Sequence, residues 1–319
     1  MRASSKNLVA TIIAVTLAAA ASGSYKVIRI THHPAIDALP TWAPNGDTIA
    51  FQSDRGGNYD LYAIPAGGGN VKRLTSWPGD QGQPSYSPDG KYIAFTWRKV
   101  GFEDTDVFIM PSKGGSYLNF TKNPGCYDAL PAWSPDGKNI AFTSEREWVP
   151  PWKIEHIWVQ PYPEGPAWRL SPGDLDEQCP DWSPNGSEIA YNAWVTMSAD
   201  VDIFRIPSRG GTPVNITKTP GVEEFSPTWS PDGLYIAYAR REGTEKFYDI
   251  YMIPRGGGEA VNLTNYPTAH DYAPAWAPDG KRIAFTSTRY AKNADIYVLY
   301  LGDPAVEPSS IGKIKVLFR

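Results

Sequence analysis

From residue 26 to about 300 the apolar positions come in runs of roughly 4–6 residues, each closed by a polar or Gly/Pro-rich turn. One kind of run reads Ile-Ala-Phe or Ile-Ala-Tyr, at Ile49–Ser53, Ile93–Trp97, Ile140–Ser144, Ile189–Ala193, Ile236–Arg240 and Ile283–Ser287. A second kind follows each of these and opens on an acid: DLYAI at Asp60, DVFIM at Asp106, DIFRI at Asp202, DIYMI at Asp249 and DIYVL at Asp295. Only HIWVQ, at His156, breaks that rule. Before each pair stands Pro-x-Trp/Tyr followed by a Ser/Ala-Pro-Asp/Asn-Gly turn. After all but the last comes a Gly-containing turn and a short strand such as VKRLT or VNLT. These runs are too short for amphipathic helices, so each group predicts four β-strands joined by tight turns.

The motif P-x-[WY]-[SA]-P-[DN]-G starts at Pro40, Pro84, Pro131, Pro180, Pro227 and Pro274, a period of about 47 residues. Self-similarity of that length in strands predicts an all-β chain, a six-bladed β-propeller of four-stranded antiparallel blades spanning residues 24–319. The first strand of each repeat would be innermost and the fourth outermost. The sixth repeat has no obvious fourth strand directly after DIYVLY, whereas KVIRIT (26–31) is a fourth strand without a repeat. The N-terminal strand is therefore expected to close the ring. KIKVLF (313–318) is a competing candidate.

PxWSPDGxxIAFxSxR, followed by DIY, GG and LT, resembles the repeat of TolB-type propellers, relatives of the WD-repeat class. Six copies agree in phase, over residues 26 to about 300. TolB proteins carry an α/β domain ahead of their propeller, and here the repeats follow the leader directly. The resemblance thus implies the propeller and a protein-binding role without the whole Tol–Pal function. Other relatives of this repeat class are caps on serine peptidases or metal-using polysaccharide lyases.

Residues 1–23 read differently. Arg2 and Lys6 precede an apolar run, Leu8–Ala20, and then small residues, which describes a secretory signal peptide. Cleavage near Ala21 would take the formal charge from −4 to −6 and leave an exported protein, periplasmic or extracellular. No later segment is long and apolar enough to span a membrane. The acidic balance gives no basic field for nucleic acid. A monomer is expected.

In a propeller of this topology the loops before the first strand and between the second and third strands share one face with the channel mouth. Three residues before each motif proline stand Asp37, Gln81, Asp128, Glu177, Glu224 and Asp271. Such carboxylates could ring the mouth and hold Ca²⁺, another divalent cation or a basic peptide. Alternatively they pair with the arginines that end strand two, Arg55, Arg98, Arg146, Arg241 and Arg289, and serve the blade itself. His33 and His270 lie in loops that ring closure makes neighbours, so they are candidate metal ligands beside Asp37 and Asp271. Trp148, Trp152 and Trp194 gather on one side of the rim as candidate contact residues or as covers for neighbouring hairpins. Cys126 and Cys179 fall on adjacent blades and could form a disulfide or remain two buried thiols.

No G-x-S-x-G elbow, H-E-x-x-H or P-loop occurs. The sequence therefore favours a non-enzymatic propeller that binds a protein or peptide of the cell envelope. The rival reading is a metal-assisted lyase or glycoside hydrolase, with Tyr127 or Tyr272 as acid or base.

Overall fold

The computed structural model describes residues 25–101, 104–147, 154–195, 200–242, 246–290 and 293–304. Every regular element in them is a β-strand. Five blades run in chain order from innermost to outermost strand, with first strands Asp37–Trp42, Asp80–Tyr86, Asp128–Trp133, Glu177–Trp182 and Val222–Trp229. The sixth is built from Asp271–Trp276, Arg282–Ser287 and Asp295–Pro304, and its outermost strand is Tyr25–Arg29 from the other end of the chain. That strand runs antiparallel, Val27 opposite Leu299 and Arg29 opposite Tyr297. The C-terminal segment 313–318, the other candidate for closure, lies outside the described residues.

The middle strands are buried on both faces, which is why they read as continuous Ile-Ala-Phe rather than alternating. Their faces are unequal. Ile49, Phe51, Tyr62 and Ile64 of blade one pack on Ala284, Ile296 and Val298 of blade six, while Ala50 and Leu61 face Ile93, Phe95 and Phe108 of blade two. The same large-on-small contact recurs between each later pair of blades, through Ala94 with Phe142, Ala141 with Tyr191, Ala190 with Tyr238 and Ala237 with Phe285. The ring thus closes through its side chains as well as through the N-terminal strand. The motif tryptophans belong to this frame: the indole N–H groups of Trp42 and Trp182 donate to Ala275 O and Ala132 O of the preceding blades, each at 3.1 Å.

The residue before each motif proline has a left-handed backbone: Leu39, Gln83, Leu130, Cys179, Ser226 and Ala273, with φ between 50° and 56°. Each sits in a β-bulge of the innermost strand. A non-glycine residue there costs about 1–3 kcal/mol. Side chains of the preceding blade offset part of it by accepting the N–H that the bulge removes from the ladder. Gln52 bonds Gln83 N, Thr96 bonds Leu130 N, Asn192 bonds Ser226 N and Thr286 bonds Leu39 N, at 3.0–3.2 Å. The bulge sends these six positions to the axial channel, a narrow space of 180 Å³ lined by the X-Pro-X triplets of all six innermost strands.

Candidate functional site

The bulges also determine what reaches the wider mouth above the channel. Residues one position before the bulge are small in blades one to three, Ala38, Gly82 and Ala129, and large in blades four to six, Gln178, Phe225 and Tyr272. The mouth is accordingly lopsided. A cavity of 580 Å³ opens there, lined by Tyr127, Phe225, Tyr248, His270 and Tyr272, with Gln83, Gln178, Cys179 and Ser226 among the residues at its floor and walls. It shares Leu39, Gln83, Leu130, Cys179 and Ser226 with the axial channel, so the two spaces are continuous.

One wall is a chain of rings that crosses from blade four to blade six. Trp194 meets Phe225 edge-on at 5.5 Å between centroids, Phe225 meets Tyr248 at 6.1 Å, and Tyr248 meets His270 at 5.7 Å. Phe247 also meets His270 edge-on, at 5.1 Å. The Tyr248 hydroxyl donates to Glu223, which also takes the Arg241 guanidinium, so this ring is anchored from behind. Burial pushes the hydroxyls of Tyr127 and Tyr248 up to about 12 and raises that of Tyr272. Burial, helped by Arg241 and Lys246, lowers the pKa of His270. At neutral pH the wall is therefore uncharged and aromatic, and the protonated hydroxyls of Tyr127 and Tyr272 stand beside it as donors.

The five carboxylates proposed for the mouth occupy a different place. Asp37, Asp128, Glu177, Glu224 and Asp271 are buried within the blades, and the cavity is lined without them. Asp37 receives Arg55 Nη2 at 2.7 Å on both oxygens, Asp128 receives Arg146 at 2.7 Å and the Ser144 hydroxyl, and Asp271 receives Arg289. Glu224 stands 3.6 Å from Arg240 and accepts from the Thr219 hydroxyl. The arginine pairing left open by the sequence is the observed arrangement, with Arg240 rather than Arg241 serving Glu224. Four of the five are thereby paired with an arginine; Glu177 instead accepts from the Ser171 hydroxyl and Ile157 N and faces His156. Burial outweighs the cations: it pushes the Glu224 carboxyl up to about 7 and that of Asp271 up to about 6, and it raises Asp128.

The other candidates divide. His270 lines the cavity, whereas His33 is exposed and its Nδ1 accepts the Ala35 N–H at 3.1 Å. Among the described residues no group of three or more His, Cys, Asp or Glu side chains is arranged to hold a metal ion. Trp194 supports the cavity wall through Phe225. Trp148 and Trp152 lie outside the described residues. Of the two alternatives left open for Cys126 and Cys179, the candidate disulfide is absent and both are free thiols. Cys179 occupies a bulge position, which turns it to the channel, where its Sγ lies 3.9 Å from the Ser226 hydroxyl.

Sequence reasoning named Trp194 and His270 but missed the bulge residues and the rings that join those two, Phe225 and Tyr248, with Phe247. The available signal was variation: the position before the motif proline reads Leu, Gln, Leu, Cys, Ser and Ala in six otherwise matched copies. It also missed Asp181, the one acid among the channel-lining residues. The matching positions hold Thr41, Ser85, Ala132, Thr228 and Ala275. Asp181 accepts the Trp229 N–H at 2.7 Å, and burial pushes its carboxyl up to about 7.

Residues 176–315 match the family model of the TolB beta-propeller domain. None of the curated proteins compared with the chain matches it. Among solved structures, a protein described as a TolB from Agrobacterium tumefaciens is 21% identical, with a TM-score of 0.66 over 86% of this chain and 96% of its own. TolB from Acinetobacter baumannii is 19% identical, with a TM-score of 0.61 over 85% of this chain and 64% of its own. An oligogalacturonate lyase in complex with manganese is 16% identical, with a TM-score of 0.60 over 88% and 94%. At these identities the solved structures establish the shared fold alone.

Proposed function

We propose that this chain, a TolB-type β-propeller, is an exported binding protein that takes a segment of a protein partner into the aromatic cavity at its channel mouth. The observation that carries this reading is the ring chain from Trp194 through Phe225 and Tyr248 to His270, set around a concave space that continues into the axial channel. Rigid aromatic walls with hydroxyl donors suit peptide side chains, because they offer contact area with little loss of rotamer freedom. A space of 580 Å³ takes one or two side chains and their backbone. Partner chemistry follows from the lining: an apolar or aromatic residue flanked by backbone carbonyls that can accept from Tyr127 and Tyr272. Export rests on Arg2, Lys6 and the Leu8–Ala20 run, and a cell-envelope partner rests on the similarity to TolB.

The lyase relative is crystallised with manganese. The residues present here do not fit such a metal: His33 and His270 are engaged in different surroundings, and the nearby carboxylates are bonded to arginines. Among the described residues the cavity lining also holds no cation for an acidic polysaccharide. Binding is therefore the better-supported reading.

Selection of peptides from a random displayed library, followed by affinity measurement, tests it. Enriched peptides should carry an aromatic or large apolar residue, and Phe225→Ala or Tyr272→Ala should weaken them at least tenfold without lowering the unfolding temperature by more than a few degrees. Peptides that bind both variants as well as the parent would refute the mouth as the site.

A further inference from the structure

On the opposite face, away from the mouth, the turns of blades three and four part to leave a second cavity of 510 Å³. Two indoles line it, Trp168 and Trp182, together with Asp136, Asn139, Asn185 and Arg209. Trp182 is a repeat tryptophan, buried and tied to Ala132 O. Trp168 belongs to no repeat pattern. It pairs with Val159 in the outermost strand of its blade, and the register-matched residues elsewhere are Ile28, Lys72, Leu118, Val214 and Val261. Only this blade places an indole there, and it is 36% exposed. The frame does not need it, because Leu170 fills the core position two residues on.

The polar groups are equally open. Asn185 uses Oδ1 for its own turn, accepting Ser187 N at 3.0 Å, and its amide N–H groups have no partner among the described residues. The Asn139 carboxamide and the Arg209 guanidinium likewise make no hydrogen bond or ion pair within the described protein. Asp136 spends one oxygen on Ser134 and Lys138 N and leaves the other open. No aliphatic Leu, Ile, Val or Met lines the space. An apolar peptide side chain or a lipid would find little to contact. With a single cation among the lining residues, an anionic polymer would be poorly balanced. What two indoles surrounded by planar amide, carboxylate and guanidinium groups match is a ring with an apolar C–H face and a rim of hydroxyl or acetamido groups.

From this we infer a carbohydrate-binding site between blades three and four, with Trp168 as the stacking platform and Asn139, Asn185, Asp136 and Arg209 as hydrogen-bonding partners of a short β-linked oligosaccharide. The unused amides favour a sugar that both donates and accepts, such as an N-acetylated hexosamine. This site is separate from the mouth, and the inference does not depend on what the mouth binds.

Titration of the purified protein with the β-1,4-linked trimer of N-acetylglucosamine, followed by calorimetry and tryptophan fluorescence, tests it. Saturable binding is expected, weakened at least tenfold by Trp168→Ala and less by Trp168→Phe. Arg209→Ala, at an exposed turn residue, provides a second variant and should weaken binding at least threefold with unchanged thermal unfolding. The cellulose trimer, which lacks the acetamido groups, should bind more weakly than the first sugar. Absence of saturable binding of either trimer at millimolar concentration would overturn the inference, and so would binding that Trp168→Ala leaves intact.

Discussion

The carboxylate of Glu177, in the first strand of blade four, stands 3.8 Å from the imidazole Nδ1 of His156 in blade three. In blade one the third strand opens on Asp60, which accepts the Thr75 hydroxyl, and the same Asp–Thr contact recurs at Asp106–Thr121, Asp202–Thr217 and Asp249–Thr264. Where His156 replaces that aspartate, Glu177 reaches across from the next blade and accepts both the Ser171 hydroxyl at 2.6 Å and Ile157 N at 3.2 Å. The glutamate, one methylene longer than Asp37, Asp128 or Asp271, supplies the missing carboxylate. His156→Asp would then place two buried carboxylates on one hydroxyl. It should destabilise the protein by about 2–4 kcal/mol, and Glu177→Gln in the same chain should recover at least half. Denaturant unfolding of both single variants and the double variant gives the coupling.

Breaking one ring pair should be far more costly than removing both partners. Asp128 is fully buried and its main cation is Arg146, whose guanidinium also lies 4.8 Å from the Phe142 ring and 4.9 Å from that of Trp158. Arg146→Ala leaves a buried carboxylate without its cation and should cost about 3–5 kcal/mol. Combining Asp128→Asn with Arg146→Met, which keeps the volume, should cost clearly less. Chemical denaturation distinguishes the two.

Stability should fall as pH rises through neutrality. The Glu224 carboxyl, ordinarily near 4.5, is pushed up to about 7 by burial, and its Oε2 has no hydrogen-bond partner among the described residues. Between those two values the folded protein keeps a proton that the unfolded chain has released. The contribution is therefore fully present below about 4.5 and is lost as pH passes about 7. From pH 5 to pH 8 this carboxyl alone should cost the parent on the order of 2 kcal/mol. Glu224→Gln should remove much of that slope and be the more stable protein at pH 8. Asp181 and Asp271, raised in the same direction, would account for the remaining slope.

Ring closure by the N-terminal strand makes a residue far from the last blade essential to it. Ile30 is buried against blades one and six, and its N–H donates to Ile296 O at 2.8 Å. Ile30→Ala should cost about 2–5 kcal/mol, as a core truncation does. The variant should also gain propensity to associate, because loosening the strand exposes the edge of Asp295–Pro304. Light scattering together with thermal unfolding measures both effects.

Much of the frame was legible because repetition multiplies weak signals. One Ile-Ala-Phe run is ambiguous; six in phase with Pro-x-Trp and Asp-Gly turns are not. The N-terminal strand could be placed because Val27-Ile28-Arg29-Ile30-Thr31 copies the outermost strand of the repeats. The site was less legible for a geometric reason. Position counting put Asp37 and its equivalents beside the channel, but the bulge between Ala38 and Thr41 resets the side-chain alternation and turns Leu39 inward instead. A one-residue irregularity reverses which residues face a cavity, and it leaves no mark in composition. The pairing of Asp37 with Arg55 was foreseeable from spacing, whereas the contact of Trp194 with Phe225 joins neighbouring blades and follows from no local pattern.

Cys179 offers a direct probe of the mouth. Its thiol turns into the channel at the floor of the aromatic cavity, and burial pushes its pKa up to about 11. At pH 8 only about one molecule in a thousand would carry the thiolate, so alkylation should be slow. In a Cys126→Ser background, which isolates this thiol, the rate of maleimide labelling should rise roughly tenfold per pH unit up to about pH 10. Cys179 lines both the mouth and the narrow channel, which give a reagent its routes to the sulfur among the described residues. A peptide seated against Phe225 and Tyr272 should therefore suppress labelling in proportion to its occupancy, while the β-linked sugar bound on the opposite face should leave the rate unchanged. Mass spectrometry of the labelled fraction measures both. Protection by the sugar, or none by a saturating peptide, would show that the two cavities do not divide the ligands as argued.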